Sequence, residues 1–202
     1  SADIQEIKAE LFDRMNYYRG TEFDYPSNKE IYQKVAVKNR FDDEDTIFVK
    51  RTLQVELPEQ VRNAISDELF RKFVTENEKA FVDELYMNMS QIKTMQKYGM
   101  KFGIHGYDHY WMNRLSEAQL RDDISQALYV FRDVIDPDDW ACCYPYGSYS
   151  DDVIRTVKEL GATSGFTTVV AAYRPGKDDI YKIPRFDTND FPPKSNNYLH
   201  KE

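Results

Sequence analysis

Two of the chain's three histidines, His105 and His109, stand four residues apart in KFGIHGYDHYW, residues 101–111. In a loop or first helical turn, residues at that spacing can point the same way, and two imidazoles so placed can ligate one divalent ion. Zinc is the default for nitrogen ligands. A catalytic zinc takes three protein ligands and an open position, so the pair would be part of a site rather than a whole one. The other reading is that both rings cap or pack at a strand end. A second stretch, YPYG, places Pro145, Tyr146 and Gly147 in a turn whose backbone N–H groups could stabilise a developing oxyanion. Tyr110 and Trp111, beside the histidines, are candidate sugar platforms, with core or rim packing as the alternative. Asp187 and Asp190 in RFDTND stand near the end of the last expected strand, where they either line the same mouth or serve as turn residues. Asp108 either orients a ring nitrogen or caps a helix.

The elements that must position these residues differ between the two halves of the chain. Up to residue 98 the apolar spacing is helical. Ile4, Ile7, Leu11, Met15 and Tyr18 share one face, as do Val61, Ile65, Leu69 and Phe73 after Pro58. Residues 78–98 hold Phe81, Leu85, Ile92 and Met95 in register, with Ser90 as a point of division and Gly99 as a C-terminal cap. After Gly99 short apolar runs alternate with helices. MKFGI reads as a strand ending at His105, WACCYPYG as a strand ending in the turn, SGFTTVV as a third and YKIPRF as a fourth. Between them come a helix opened by the capping box of Ser116 and Gln119, and one from Ser150 to Leu160 closed by Gly161. Such alternation implies parallel βα units, whose functional residues gather at the C-terminal ends of the strands. Residues 1–98 are thus expected as a mainly helical segment and 99–202 as βα units, packed as one domain. Parallel strands preceded only by helices leave a sheet edge unpaired, and the reading favoured is that strands preceding Ser1 are absent.

Composition narrows the partners. The formal net charge is −8, and no basic stripe exists to neutralise phosphates, which argues against a nucleic-acid partner. No run of about 18 apolar residues spans a membrane. The opening SADIQEIKAE does not read as a signal peptide, having no basic region followed by an apolar one. Cys142 and Cys143 are adjacent and poorly placed to bridge each other, so a reduced, cytoplasmic setting is expected. Neither thiol is expected to act as a nucleophile, because a strand interior supplies neither a base nor a depressed pKa.

The two stretches, in this order, resemble the polysaccharide deacetylases of the NodB-homology group. Their metal motif, His-Ser/Thr-x-x-His, is matched at His105 and His109, with Gly106 where the hydroxyl residue usually stands. Their Arg-x-Pro-Tyr-Gly motif is matched at Pro145, Tyr146 and Gly147, with Cys143 in the arginine's place. The resemblance covers about residues 84–190, and YPYGSY after a long helical insertion is similar to the subgroup of surface-polysaccharide biosynthesis. It implies an α/β fold, a partial and distorted (β/α) barrel with a helical N-terminal insertion. It also implies metal-dependent removal of acetyl groups from an amino sugar or polysaccharide precursor. In that scheme His105 and His109 hold a divalent metal, zinc by default. On this reading Tyr146 and Asp187 are the catalytic candidates of this chain, and Pro145, Gly147, Tyr110 and Trp111 its candidates for meeting the carbohydrate.

The family's third ligand and general base come from a Thr-Phe-Asp-Asp-Gly segment, which this sequence lacks. NRFDDEDT offers Asp42 and Asp43, but no apolar strand leads into it and Glu44 replaces the turn glycine, so it reads as a solvated acidic loop. The family's late histidine would be His200, which reads instead as a surface residue. The expectation is a C-terminal portion of a longer deacetylase, its metal site incomplete and its own activity low or nil. The competing expectation is a catalytically inactive relative that binds a glycan or a partner chain through the same mouth. A helical interaction module in residues 1–98 would need an exposed apolar face on the Pro58–Val74 helix, whose pattern is ordinarily amphipathic. An unpaired sheet edge would favour a homodimer.

Overall fold

The structure, a computed structural model, describes residues 2–39 and 42–199. It divides into two compact units, Ser1–Met87 and Asn88–Glu202, each with its own core.

The first unit is helical: α1 (Ile4–Tyr18), α2 (Asn28–Val35), α3 (Glu44–Arg51), α4 (Glu59–Phe73) and α5 (Glu78–Leu85), with a π-helical turn over Thr52–Glu56. Side-chain oxygens satisfy the first N–H groups. Asp3 accepts from Gln5 N at 2.9 Å, Ser27 forms a capping box with Glu30, and Asp43 accepts from Thr46 N at 2.8 Å. The spacing that predicts one apolar face on the first and fourth helices places Leu11, Met15, Val61, Ile65 and Leu69 in a core with Ile31, Phe48 and Leu57. Asp45 fastens three helices at once, accepting from Gln5 Nε2 at 2.6 Å, Lys8 Nζ at 2.8 Å and Tyr32 Oη at 2.7 Å.

The second unit holds α6 (Met89–Lys97), α7 (Glu117–Val130), β1 (Trp140–Cys143), α8 (Asp151–Glu159) and β2 (Ala162–Phe166). The helical stretch over 78–98 divides at 86–88 rather than at Ser90, because Asn88 caps α6 in a capping box with Gln91. Ser116 and Gln119 form the expected box at the start of α7. β1 and β2 pair in parallel, with Ala141 opposite Ser164 and Cys143 opposite Phe166.

The other two expected strands shrink to single parallel bridges, Ile104 with Cys142 and Ile183 with Phe166. Each shortening has a local cause. At Gly103 a side chain would lie 2.3 Å from the Ala141 carbonyl oxygen, so the chain comes too close for a regular ladder. After Ile183 the next amide in line to continue the pairing, Arg185 N, donates instead to the Val169 carbonyl at 2.9 Å. β2 stops at Phe166 instead of running to Val170, because Thr167 Oγ1 accepts from Val169 N at 3.2 Å and turns the chain away. The result is a mixed helix–strand unit with a small parallel sheet.

One face of this sheet carries Ile104, Trp140, Cys142 and Ala162 into a core with Leu120, Ile124 and Ala127 of α7 and Val153, Ile154 and Val157 of α8. The other face, with Gly103, Ala141, Cys143, Ser164 and Phe166, lines a cavity of about 520 Å³. His105 stands on the wall of that cavity.

Candidate active site

The site begins where the bridge at Ile104 ends. His105 follows it, and its Nδ1 lies 2.5 Å from the Cys143 carbonyl oxygen at the end of β1. A carbonyl only accepts, so Nδ1 carries the proton and the lone pair sits on Nε2. The chain then reverses through Gly106, at φ 74°, and returns at His109, a non-glycine residue held at φ 58°. The reversal brings His109 Nε2 to 3.0 Å from His105 Nε2, and the two rings meet edge to face with centroids 4.7 Å apart.

Gly106 stands where the resembling family has a hydroxyl residue, and the departure has a physical reason. A Cβ there would lie 2.9 Å from Asp123 Oδ2, in a conformation that side chains rarely adopt. Asp123 belongs to α7 and is buried. It accepts from Tyr107 N at 3.2 Å and from Asp108 N at 2.9 Å, so it grips the middle of the histidine loop. Sequence reasoning missed it, since its helical position carries no local sign of the loop that wraps it.

The Pro-Tyr-Gly turn meets this loop directly. Tyr146 is the other non-glycine residue with left-handed backbone among the described residues, at φ 59°, and its hydroxyl lies 3.0 Å from His109 Nδ1. Trp111 stacks on the Tyr146 ring at 4.9 Å with planes 12° apart, and the Arg114 guanidinium sits 5.4 Å from the Trp111 ring centre. Gly147 permits the turn, because a Cβ there would lie 2.2 Å from Thr168 Oγ1. Its N–H donates to the Tyr144 carbonyl and that of Ser148 to the Pro145 carbonyl, both at 2.9 Å, so those two amides close the turn itself. Ser148 also fastens the turn to the segment after Trp111, donating to Asn113 Oδ1 at 2.6 Å and accepting from Asn113 N at 3.1 Å.

The structure thus brings together His105, His109, Tyr146, Pro145, Gly147 and Trp111. Tyr110 is half-buried between His109 and Trp111 in the chain. Asp187 is exposed and caps a short turn, Thr188–Asp190, accepting from Asn189 N at 2.8 Å and Asn189 Nδ2 at 2.6 Å. Asp190 is buried and accepts from Asp187 N and Asn197 Nδ2, each at 2.8 Å. In the first unit Asp42 pairs with Lys50 at 2.7 Å, while Asp43 caps α3. His200 lies outside the described residues.

Electrostatics separate the two imidazoles. His105 is held above the ordinary histidine value, first by its hydrogen bond with the Cys143 side chain, against the desolvation that lowers it. His109 is pushed down, mainly by burial and next by the charge of His105. Burial raises the Cys143 thiol, but the hydrogen bond with His105 and the positive charge of Arg185 outweigh it and leave the thiol below its usual value. The neighbouring chain segment thus places His105 beside this thiol. Cys142 is as expected, buried and pushed up by desolvation. Arg185, whose Nε donates to the Thr167 carbonyl at 2.9 Å, is a second residue that sequence spacing did not reveal.

The donor set fits a divalent cation in part. Two nitrogens on one tetrahedral zinc at about 2.0–2.1 Å stand about 3.3 Å apart. The 3.0 Å between the two Nε2 atoms is within a few tenths of that. With His109 Nδ1–H donating to the Tyr146 hydroxyl, its Nε2 carries a lone pair as that of His105 does. Among the described residues no group of three or more His, Cys, Asp or Glu converges to hold a metal.

The sequence pattern of the family described as Polysaccharide deacetylase matches residues 41–165, well over half of the chain. The Bacillus subtilis (strain 168) protein YxkH, which bears a polysaccharide deacetylase name, is 23% identical over 83 residues, 41% of this chain. The matched stretch spans 30% of that relative's length. Among solved structures, a Streptococcus pyogenes deacetylase, PplD, in complex with acetate superposes with a TM-score of 0.49 at 14% identity, covering 99% of this chain and 88% of that one.

Proposed function

The chain belongs to the polysaccharide deacetylase family, and from that premise we propose that its second unit carries the metal-binding half of a carbohydrate N-deacetylase site. The observation that carries the reading is the convergence of His105 Nε2 and His109 Nε2 at 3.0 Å, with the first ring's tautomer set by the Cys143 carbonyl. When bound, a divalent cation, zinc by default, supplies Lewis acidity toward an acetamide carbonyl and lowers the pKa of water. The protein's own residues then have defined roles. His105 and His109 are the ligands. Tyr146 orients His109 through its hydroxyl, and Trp111 fixes the Tyr146 ring by stacking. Pro145 and Gly147 set the turn beside the reacting acyl group, and Tyr110 and Trp111 offer apolar surface to a sugar ring.

The cavity of about 520 Å³ beside His105 is of the size that takes a small ligand. The reaction would break the amide C–N bond of an N-acetyl sugar, join water's oxygen to the acyl carbon and return a proton to the leaving amine, giving acetate and a free amino sugar. Asp187 is the carboxylate we assign to proton transfer, in addition to its capping bonds. In this reading the small parallel sheet is one arc of a distorted (β/α) barrel, with the helical unit as the insertion.

The missing third ligand among the described residues favours a second reading, a relative without catalysis that binds a glycan. Acetate release from N-acetylglucosamine oligomers, measured with added Zn²⁺, separates the two. Release lost in His105→Ala and His109→Ala supports the enzyme. Saturable oligomer binding without acetate supports the binding module. Neither release nor binding contradicts both.

A further inference from the structure

A carboxylate inside a helix is expensive to bury unless its oxygens accept hydrogen bonds. Asp123 of α7 is 5% exposed, and both of its oxygens are engaged, Oδ2 accepting from Tyr107 N and Oδ1 from Asp108 N. Those two amides are at the centre of the His105–His109 stretch, so the carboxylate pins the middle of a loop whose two ends carry the imidazoles. The helix that holds it is itself fixed, because Leu120, Ile124 and Ala127 on its inner face are buried. The fit is close, since any side chain at Gly106 would press on Oδ2. With its centre tied down, the loop closes through the left-handed His109, which turns its Nε2 back toward that of His105.

We infer that Asp123 is a positioning residue for the histidine pair, setting the separation of the two Nε2 atoms by holding the Tyr107 and Asp108 amides. An asparagine cannot replace it. The two amides meet different oxygens of Asp123, and in asparagine one of those positions is an NH₂ group that would face an N–H donor. The inference rests on the metal reading for its consequence in binding, but not for the loop geometry.

The test uses the full chain without metal, then with Zn²⁺ alone as the probe. In Asp123→Asn, hydrogen exchange at Tyr107 and Asp108 should quicken about tenfold or more while the amides of α7 and the sheet keep their protection. Zn²⁺ affinity should fall by about 10–100-fold, the usual effect of removing a group that orients a ligand. Unchanged exchange at the two amides, unchanged affinity, or loss spread evenly over α7 and the sheet would overturn it. Should that variant not fold, Gly106→Ala keeps the carboxylate and disturbs the same fit. It should expose the same two amides, and full protection there would contradict the inference. If the wild-type chain binds no Zn²⁺, the metal reading fails, and the exchange comparison still decides the role of Asp123.

Discussion

The two units use a carboxylate in opposite ways. In the helical unit Asp45 gathers three side chains, from Gln5, Lys8 and Tyr32, and so joins α1, α2 and α3 where the backbone is already regular. In the sheet unit Asp123 takes two backbone N–H groups and imposes an irregular path on them. Backbone strain follows the same division. Among the described residues, His109 and Tyr146 are the non-glycine residues with positive φ; both lie in the second unit, and their side chains touch. In the first unit only Gly20 adopts that region among the described residues. Side chains that join regular elements serve stability, whereas side chains that hold a strained loop serve a geometry needed for something else.

Four substitutions probe this contrast. Phe48→Ala empties a fully buried site in the helical core and should cost about 3–5 kcal/mol in urea denaturation, with Zn²⁺ affinity unchanged. A parallel loss of affinity would contradict the division of labour. Gly147→Ala adds left-handed strain at φ 68° to a clash with Thr168, and should cost about 2–3 kcal/mol and weaken Zn²⁺ binding. Gly20→Ala, at φ 81° but with nothing within 4 Å, should cost only about 1 kcal/mol and leave binding alone. Equal effects on stability and binding from the two would remove the distinction.

The smallest effect is expected from acid. The Asp45 carboxyl is drawn down from 3.8 to about 2, first by its bond with Lys8, then by Gln5 and Tyr32. Its folded pKa is depressed, so its contribution is present above the unfolded value and is lost as the pH falls from about 3.8 toward 2. Asp45→Asn should flatten the stability–pH profile of the protein across that window. A profile as steep as the wild type's would show that other carboxylates dominate.

The parts of the site that were legible in the sequence are those written in consecutive residues. His105 with His109, and Pro145 through Gly147, carry their spacing on the surface of the chain, and the structure puts Tyr146 against His109. What escaped depends on partners distant in the chain. Asp123 reads as one more acidic residue of an amphipathic helix, and nothing near Arg185 announces that its charge reaches Cys143. Strand lengths failed for a related reason. Apolar runs set where strands are possible, but the close approach at Gly103, the diversion of Arg185 N to the Val169 carbonyl and the side-chain turn at Thr167 decide where pairing stops. The division at Asn88 could have been found, since Asn88 and Gln91 form a capping box as regular as that of Ser116.

The deacetylase reading of the second unit depends on His105 and His109 converging on one cation. Calorimetric titration of the full chain with Zn²⁺ at neutral pH, beside the His105→Ala, His109→Ala double variant, tests that convergence. The wild type should bind one equivalent, and the double variant should bind it at least tenfold more weakly. Identical titrations of the two proteins would contradict the convergence.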